Sequence, residues 1–156
     1  MLAAAFCISS ANGQSIPSGQ RFGSWTYQCQ GQGATDIVCG LVQNVADSRT
    51  GKSALSIGVR PIEGKLAMFV VAPLGIFLGS GIGGRVDNGP AFQFFLQECT
   101  RRGCQAALPL RPDMLELLRK GKRLLVGYKT TPQAPLTTVP VSLDGFSAGV
   151  EALGAK

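Results

Sequence analysis

The sequence predicts an all-β domain, a sandwich in preference to a barrel, with one or two short helices near the C-terminus. Three observations carry this. Eight or nine short segments alternate apolar and polar residues or run briefly apolar, with Gly, Pro, Asn and Asp turn signals between them. Helical periodicity appears only beyond residue 110. Four of the five cysteines fall into two close pairs, Cys29 with Cys39 and Cys99 with Cys104, each suited to stapling a local loop. A chain of 156 residues suits one domain, and a domain of this size buries about two-thirds of its unfolded surface. With 45% hydrophobic and 15% charged residues the composition is globular, not disordered.

In chain order, Met1–Ala11 resembles a secretory leader. Its apolar stretch Leu2–Ile8 is followed by the small residues Ser9-Ser10-Ala11 expected at a cleavage site. That stretch is far short of the ~20 residues of a membrane span, and it lacks a positively charged n-region. Phe6 is bulky where a lipidation motif at Cys7 requires a small residue. Residues 12–20 are polar and small and read as a flexible N-terminus, which leaves 21–156 as the single β-sandwich domain.

Ser24–Gln30 alternates Trp25, Tyr27 and Cys29 on one face, and Asp36–Val45 follows as a second strand, so the two form a hairpin. Ser53–Arg60 alternates Leu55, Ile57 and Val59. Leu66–Ala72 is continuously apolar, as in a strand buried on both faces, and Pro73 ends it. Gly75–Val86 is glycine-rich and reads as a bent strand or arch. After the Asp87–Pro90 turn comes the aromatic strand Ala91–Cys99, then Gly103–Leu110. Pro112–Lys120 has helical spacing, with Pro112 at the first position, Arg119 and Lys120 at the negative end and Gly121 as a cap. Arg123–Lys129 and Thr138–Leu143 return to strand, and Asp144–Leu153 reads as a helix weakened by Gly149.

Disulfides persist in oxidising compartments, which agrees with a leader. Four cysteines allow three pairings, which spacing alone leaves open. The local pairing is favoured, because a hairpin or tight loop brings each pair together, at about 2–3 kcal/mol each in the chain-entropy model. A four-cysteine zinc site is the competing reading, but C-x9-C and C-x4-C are not the C-x2-C knuckles of a zinc ribbon.

The chain has no histidine, so the commonest general base and metal ligand is missing. Gly145-Phe146-Ser147-Ala148-Gly149 matches a serine-hydrolase elbow in letters only; it has no base, and a turn packing Phe146 and Val150 inward is the better reading. Gly79–Gly84 matches a dinucleotide fingerprint, but Gly89-Pro90 forbids the helix it must open, so no nucleotide is expected. The nine acids are scattered, and Trp25 suits core packing better than a sugar platform. The sequence therefore predicts no enzyme, no metal and no cofactor.

The charge is uneven. Between Arg101 and Lys129 stand eight basic residues against two acids, so this segment holds the whole formal net charge of +6. Arg101 and Arg102 lie in the loop between Cys99 and Cys104, where a disulfide would pre-order them, and guanidinium forks suit carboxylates and phosphates. Arg119, Lys120, Lys122 and Arg123 follow. These six are the candidate anion-binding residues; a solvated face is the bland alternative. The segment lacks the aromatics of a nucleic-acid stacking platform.

Taken in order, Phe22-Gly23-Ser24-Trp25 with Cys29, Cys39 with Leu41-Val42-Gln43, Pro73-Leu74-Gly75-Ile76, Gly81-Ile82, Val86-Asp87, Phe95 with Cys99, Gly103-Cys104 and Ser142-Leu143-Asp144-Gly145-Phe146 resemble the invasion-associated locus B family of bacterial envelope proteins. The resemblance spans roughly residues 20–153 and rests on the ordered set together with both cysteine pairs. It implies an exported protein, periplasmic or secreted, with an immunoglobulin-like β-sandwich. The family is named for a role in host-cell invasion and virulence, and it carries no catalytic motif to transfer. The expected function is thus an exported, non-catalytic binding protein. Its partner would be an anionic component of the bacterial envelope or host cell, met through a basic face. The alternative is a periplasmic structural or stress-related accessory that binds another protein.

Overall fold

A computed structural model describes residues 15–31 and 37–154. The leader expected at residues 1–11, Cys7 included, lies outside these. The strands are β1 (Arg21–Phe22), β2 (Trp25–Gln30), β3 (Val38–Ala46), β4 (Ser53–Ile62) and β5 (Lys65–Ala72), followed by β6 (Ile82–Val86), β7 (Ala91–Thr100) and β8 (Gly103–Pro109). Helix α1 (Pro112–Lys120) precedes β9 (Arg123–Tyr128) and β10 (Thr137–Ser142), and α2 (Phe146–Ala152) ends the fold. All ten strands pair antiparallel in the order β1-β2-β3-β4-β5-β8-β7-β6-β9-β10.

Strand β7 belongs to both layers. Its residues Ala91 to Phe94 pair with β6, while Phe95 to Thr100 pair with β8, with an irregularity between Leu96 and Glu98. The bulge lets one strand turn the corner from one sheet to the other. The layers enclose a single core. Leu55, Ile57 and Val59 of β4 and Leu66, Met68 and Val70 of β5 face Ile82, Leu124, Val126 and Val141 across it. The period-two pattern of β4 puts Ser56, Gly58 and Arg60 outward, so alternation predicts its faces correctly.

Edge strand β10 of the second sheet meets β2 and β3 of the first at Ser142. The Gln43 side-chain amide donates to the Ser142 carbonyl at 2.9 Å and accepts from the Ser142 N–H at 3.1 Å, as a neighbouring strand would. The Trp25 indole N–H donates to the same carbonyl at 3.0 Å, and its ring meets Phe146 edge-on at 5.3 Å. Below them Gly145 sits at φ 79, where an added Cβ would lie 2.0 Å from the Phe22 carbonyl oxygen, so only glycine fits. Gly145 is thus a tight turn into α2, which begins at Phe146 and buries Phe146, Gly149 and Val150.

One expectation is corrected. Of Gly75–Val86 only Ile82–Val86 is strand; Pro73 to Gly81 is an irregular loop containing a 3-10 turn, Leu78–Ser80. Gly79–Gly84 opens no helix, and Gly84 leaves space for the Phe92 ring, which an added Cβ would meet at 2.3 Å. Gly121 caps α1 as expected, its N–H donating to the Leu117 carbonyl, in extended conformation (φ −71). Space is its reason: a Cβ there would stand 2.3 Å from Val86 Cγ1.

Candidate functional site

Both disulfides form in the local pairing, Cys29–Cys39 and Cys99–Cys104. Each joins residues directly opposite on adjacent strands. No group of three or more metal-ligating side chains occurs among the described residues.

The second disulfide braces the β7–β8 hairpin. Thr100 pairs with Gly103, leaving Arg101 and Arg102 as a two-residue turn, and the Thr100 hydroxyl accepts from the Arg102 N–H at 3.2 Å. Gly103 lies so close to β5 that a Cβ would be 2.3 Å from the Ala72 carbonyl oxygen. The tip is therefore seated against the end of β5, and both arginines are exposed.

The remaining candidate cations lie elsewhere. Strand β7 runs ten residues from its start beside Arg85 to the arginine tip, about 30 Å at the usual rise per residue. Arg119, Lys120, Lys122 and Arg123 belong to the other end, with α1 and the start of β9. The six residues that run together in sequence thus divide between opposite ends of the sandwich and do not make one basic face.

Three cations of the helix end are paired. Lys120 Nζ lies 2.8 Å from Glu116 Oε2, and Arg119 Nη1 lies 3.5 Å from Glu151 Oε1. Arg111 forms a two-pronged pair with Asp113 at 3.2 and 3.0 Å. Asp87 accepts from the backbone N–H groups of Lys122 and Arg123, each at 3.0 Å. Those two hydrogen bonds, first Lys122 then Arg123, hold its carboxyl below the usual carboxylate range.

At the loop end, register gathers segments far apart in sequence. Ala72 pairs with Cys104, so the loop after Pro73 starts beside the arginine tip. Ala46 pairs with Ser53, which puts the Asp47–Lys52 turn at the same end of the first sheet. The Phe77 N–H donates to the Lys129 carbonyl at 2.7 Å, tying that loop to the β9–β10 connection. Burial, and to a smaller extent the charge of Asp47, raises the Tyr128 hydroxyl above its ordinary value. Arg49, Lys52 and Lys129 join Arg101 and Arg102 here. The acids are Asp47, whose carboxylate accepts from the Arg49 N–H at 2.7 Å and lies 3.8 Å from the Arg49 guanidinium, and Glu98 on β7. Sequence reasoning missed Arg49 and Lys52, because nothing local marks a residue as a neighbour of position 101.

A separate cleft of about 640 Å³ lies on the outer face of the first sheet. Gly40 and Gly58 form its floor, with Val42, Phe69 and Gln28 around them. The Arg60 guanidinium stands 4.7 Å over the Phe69 ring.

Comparison with known proteins agrees with the order of segments read above. Residues 25–154 match the model of the invasion associated locus B (IalB) protein family. An invasion protein B homolog of Brucella abortus (strain 2308) is 27% identical over 152 residues, covering 94% of this chain and 87% of the relative. The homolog from Brucella abortus biovar 1 (strain 9-941) matches to the same extent. The crystal structure of invasion associated protein B from Bartonella henselae superposes with a TM-score of 0.76 at 22% identity, over 87% of this chain and 94% of that one. That likeness shows a common fold. The family, the two disulfides and the lack, among the described residues, of a helix long and apolar enough to cross a membrane are consistent with an exported protein. The chain belongs to the invasion-associated locus B family.

Proposed function

We propose that this protein is an exported, non-catalytic binding protein of the bacterial envelope that engages an anionic envelope or host-cell component through the loop end of its sandwich. One observation carries the reading. Arg101 and Arg102 project from a disulfide-braced turn, and among the described residues neither side chain forms an ion pair. A rigid turn loses little entropy on binding, and guanidinium forks match carboxylate and phosphate groups. At the helix end Arg119 and Lys120 are already engaged with Glu151 and Glu116, so a ligand there would have to displace them. The chain has no histidine, which supports the non-catalytic reading. The relatives are named for invasion, which makes a host-cell surface one of the anionic surfaces to test. In this reading the compartment is the periplasm or the cell exterior.

The test is binding to isolated bacterial envelopes and to host-cell membranes across a salt series. Wild type runs beside Arg101→Glu/Arg102→Glu and beside reversal of all four cations from Arg119 to Arg123. Binding is expected to weaken with salt, to be lost in the first variant and to persist in the second. Binding indifferent to salt and to both variants would contradict the proposal.

The cleft over Gly40 and Gly58 favours a second reading, a structural or stress-related accessory that binds another protein. It predicts salt-insensitive association, abolished by Gly58→Glu and unaffected at the arginine tip.

A further inference from the structure

Loops at a protein surface are normally polar, yet the connection from β5 to β6 reads Pro73-Leu74-Gly75-Ile76-Phe77-Leu78-Gly79-Ser80. Ile76 is buried and anchors it. Leu74 is 58% exposed, Leu78 52% and Phe77 36%. Leu136 of the β9–β10 connection is 61% exposed and rests on Gly127, to which it comes within 3.2 Å of a Cβ built there. These side chains occupy the end that also carries Arg101, Arg102, Arg49, Lys52 and Lys129.

The loop is held firmly. The Phe77 N–H bonds to the Lys129 carbonyl, and the Phe77 carbonyl accepts from both the N–H and hydroxyl of Ser80, at 3.3 and 3.0 Å. The Gly81 N–H closes on the Leu78 carbonyl at 3.0 Å. The apolar side chains are therefore presented by fixed backbone. They sit on the connections β5–β6 and β9–β10. Cations of the β3–β4, β7–β8 and β9–β10 connections lie at the same end.

Resting on the anion-binding role of the loop end, we propose that the anionic component is a lipid bilayer with anionic headgroups. The protein docks on it end-on, setting Leu74, Phe77 and Leu78 into the interface while the surrounding arginines and lysines meet headgroup phosphates. Apolar side chains and cations at one end match the order of a bilayer surface, apolar beneath and anionic above. Neither element is sufficient alone: a few apolar side chains give marginal, reversible binding, and surface cations without them are screened by salt. Docking is peripheral, and the sandwich stands away from the membrane with its helix end free.

The experiment is co-sedimentation of the full chain with vesicles of phosphatidylcholine plus phosphatidylglycerol, beside vesicles of phosphatidylcholine alone. Binding to immobilised heparin, a polyanion with no apolar phase, is measured in parallel. Wild type is expected to bind the anionic vesicles and to bind the neutral ones at least tenfold less. Leu74→Ser/Leu78→Ser, both at exposed positions, is expected to lower vesicle binding about tenfold and to leave heparin binding unchanged. Arg101→Glu/Arg102→Glu is expected to lower both by about tenfold or more. Leu78→Trp is expected to shift its fluorescence to the blue on anionic vesicles, against the constant signal of buried Trp25.

Heparin binding that needs Arg101 and Arg102, with no vesicle binding, would overturn the bilayer and leave the anion-binding role standing. No binding to either would overturn both. Vesicle binding that survives the double serine variant, or is lost on reversing the four cations of the helix end, would overturn the end-on geometry.

Discussion

Trp25 is the sequence's only tryptophan and ties the chain's two ends together. Its alternation with Tyr27 and Cys29 is enough to mark it as inward-facing. Its hydrogen bond to Ser142, 117 residues away, has no local signature. Trp25→Ala is expected to cost about 3–5 kcal/mol in urea unfolding. Trp25→Phe should cost clearly less, because Gln43 still serves the Ser142 carbonyl. Asp87 gives a pH prediction. Its folded-state pKa is lowered by the Lys122 and Arg123 N–H groups, so its contribution is present above the unfolded value near 3.9. That contribution is lost as pH falls through the folded value. Asn tolerates the left-handed backbone of this position (φ 48) but cannot titrate. The melting temperature of Asp87→Asn should therefore lie below wild type at neutral pH, and the gap should close as pH falls below the unfolded carboxylate value. A gap that is constant with pH would show that the carboxylate charge is not what those N–H groups recognise.

Among the elements, strands with clean period two are legible in residues, and the connections between layers are not. β4 and α1 follow their apolar pattern because each has one neighbour environment per face, whereas β5, read as buried on both faces, leaves Phe69 and Val71 half-buried on its outer face. The stretch from Gly75 to Val86 does not, because its glycines serve space and turns at several points, and apolar letters in a loop look the same as in a strand. The Gln43 amide that bridges the sheets is likewise invisible in the sequence, since its partner is backbone. Gln43→Ala leaves the Ser142 N–H without its acceptor and is expected to lower stability by about 1–3 kcal/mol. An unchanged denaturation midpoint would mean water replaces the bridge. Removing the hairpin brace by Cys99→Ser/Cys104→Ser is expected to weaken anion binding more than it weakens the fold, because the loop it closes is short (sequence separation 5). Circular dichroism melts beside heparin affinity separate the two effects.

At the scale of the whole molecule, the basic segment shows what linear charge counting can and cannot see. The excess between Arg101 and Lys129 is real, but the chain runs from one end of the sandwich to the other within it. β8 carries it from the arginine tip to α1. Acids from α1 and α2 meet Lys120 and Arg119 at one end, and apolar loops accompany Arg101 and Arg102 at the other. Alternation gives the strands, and the paired cysteines give the braced turn. Which cations share a surface depends on the antiparallel register, which no single segment encodes. If the protein acts through its loop end, hydrogen exchange of the free protein and of the protein bound to isolated bacterial envelopes tests this most directly. New protection is expected in residues 47–52, 73–81 and 100–104, with α1 and the start of β9 unchanged. Protection confined to α1 and β9, or to β3 and β4 beneath the Gly40–Gly58 cleft, would contradict it.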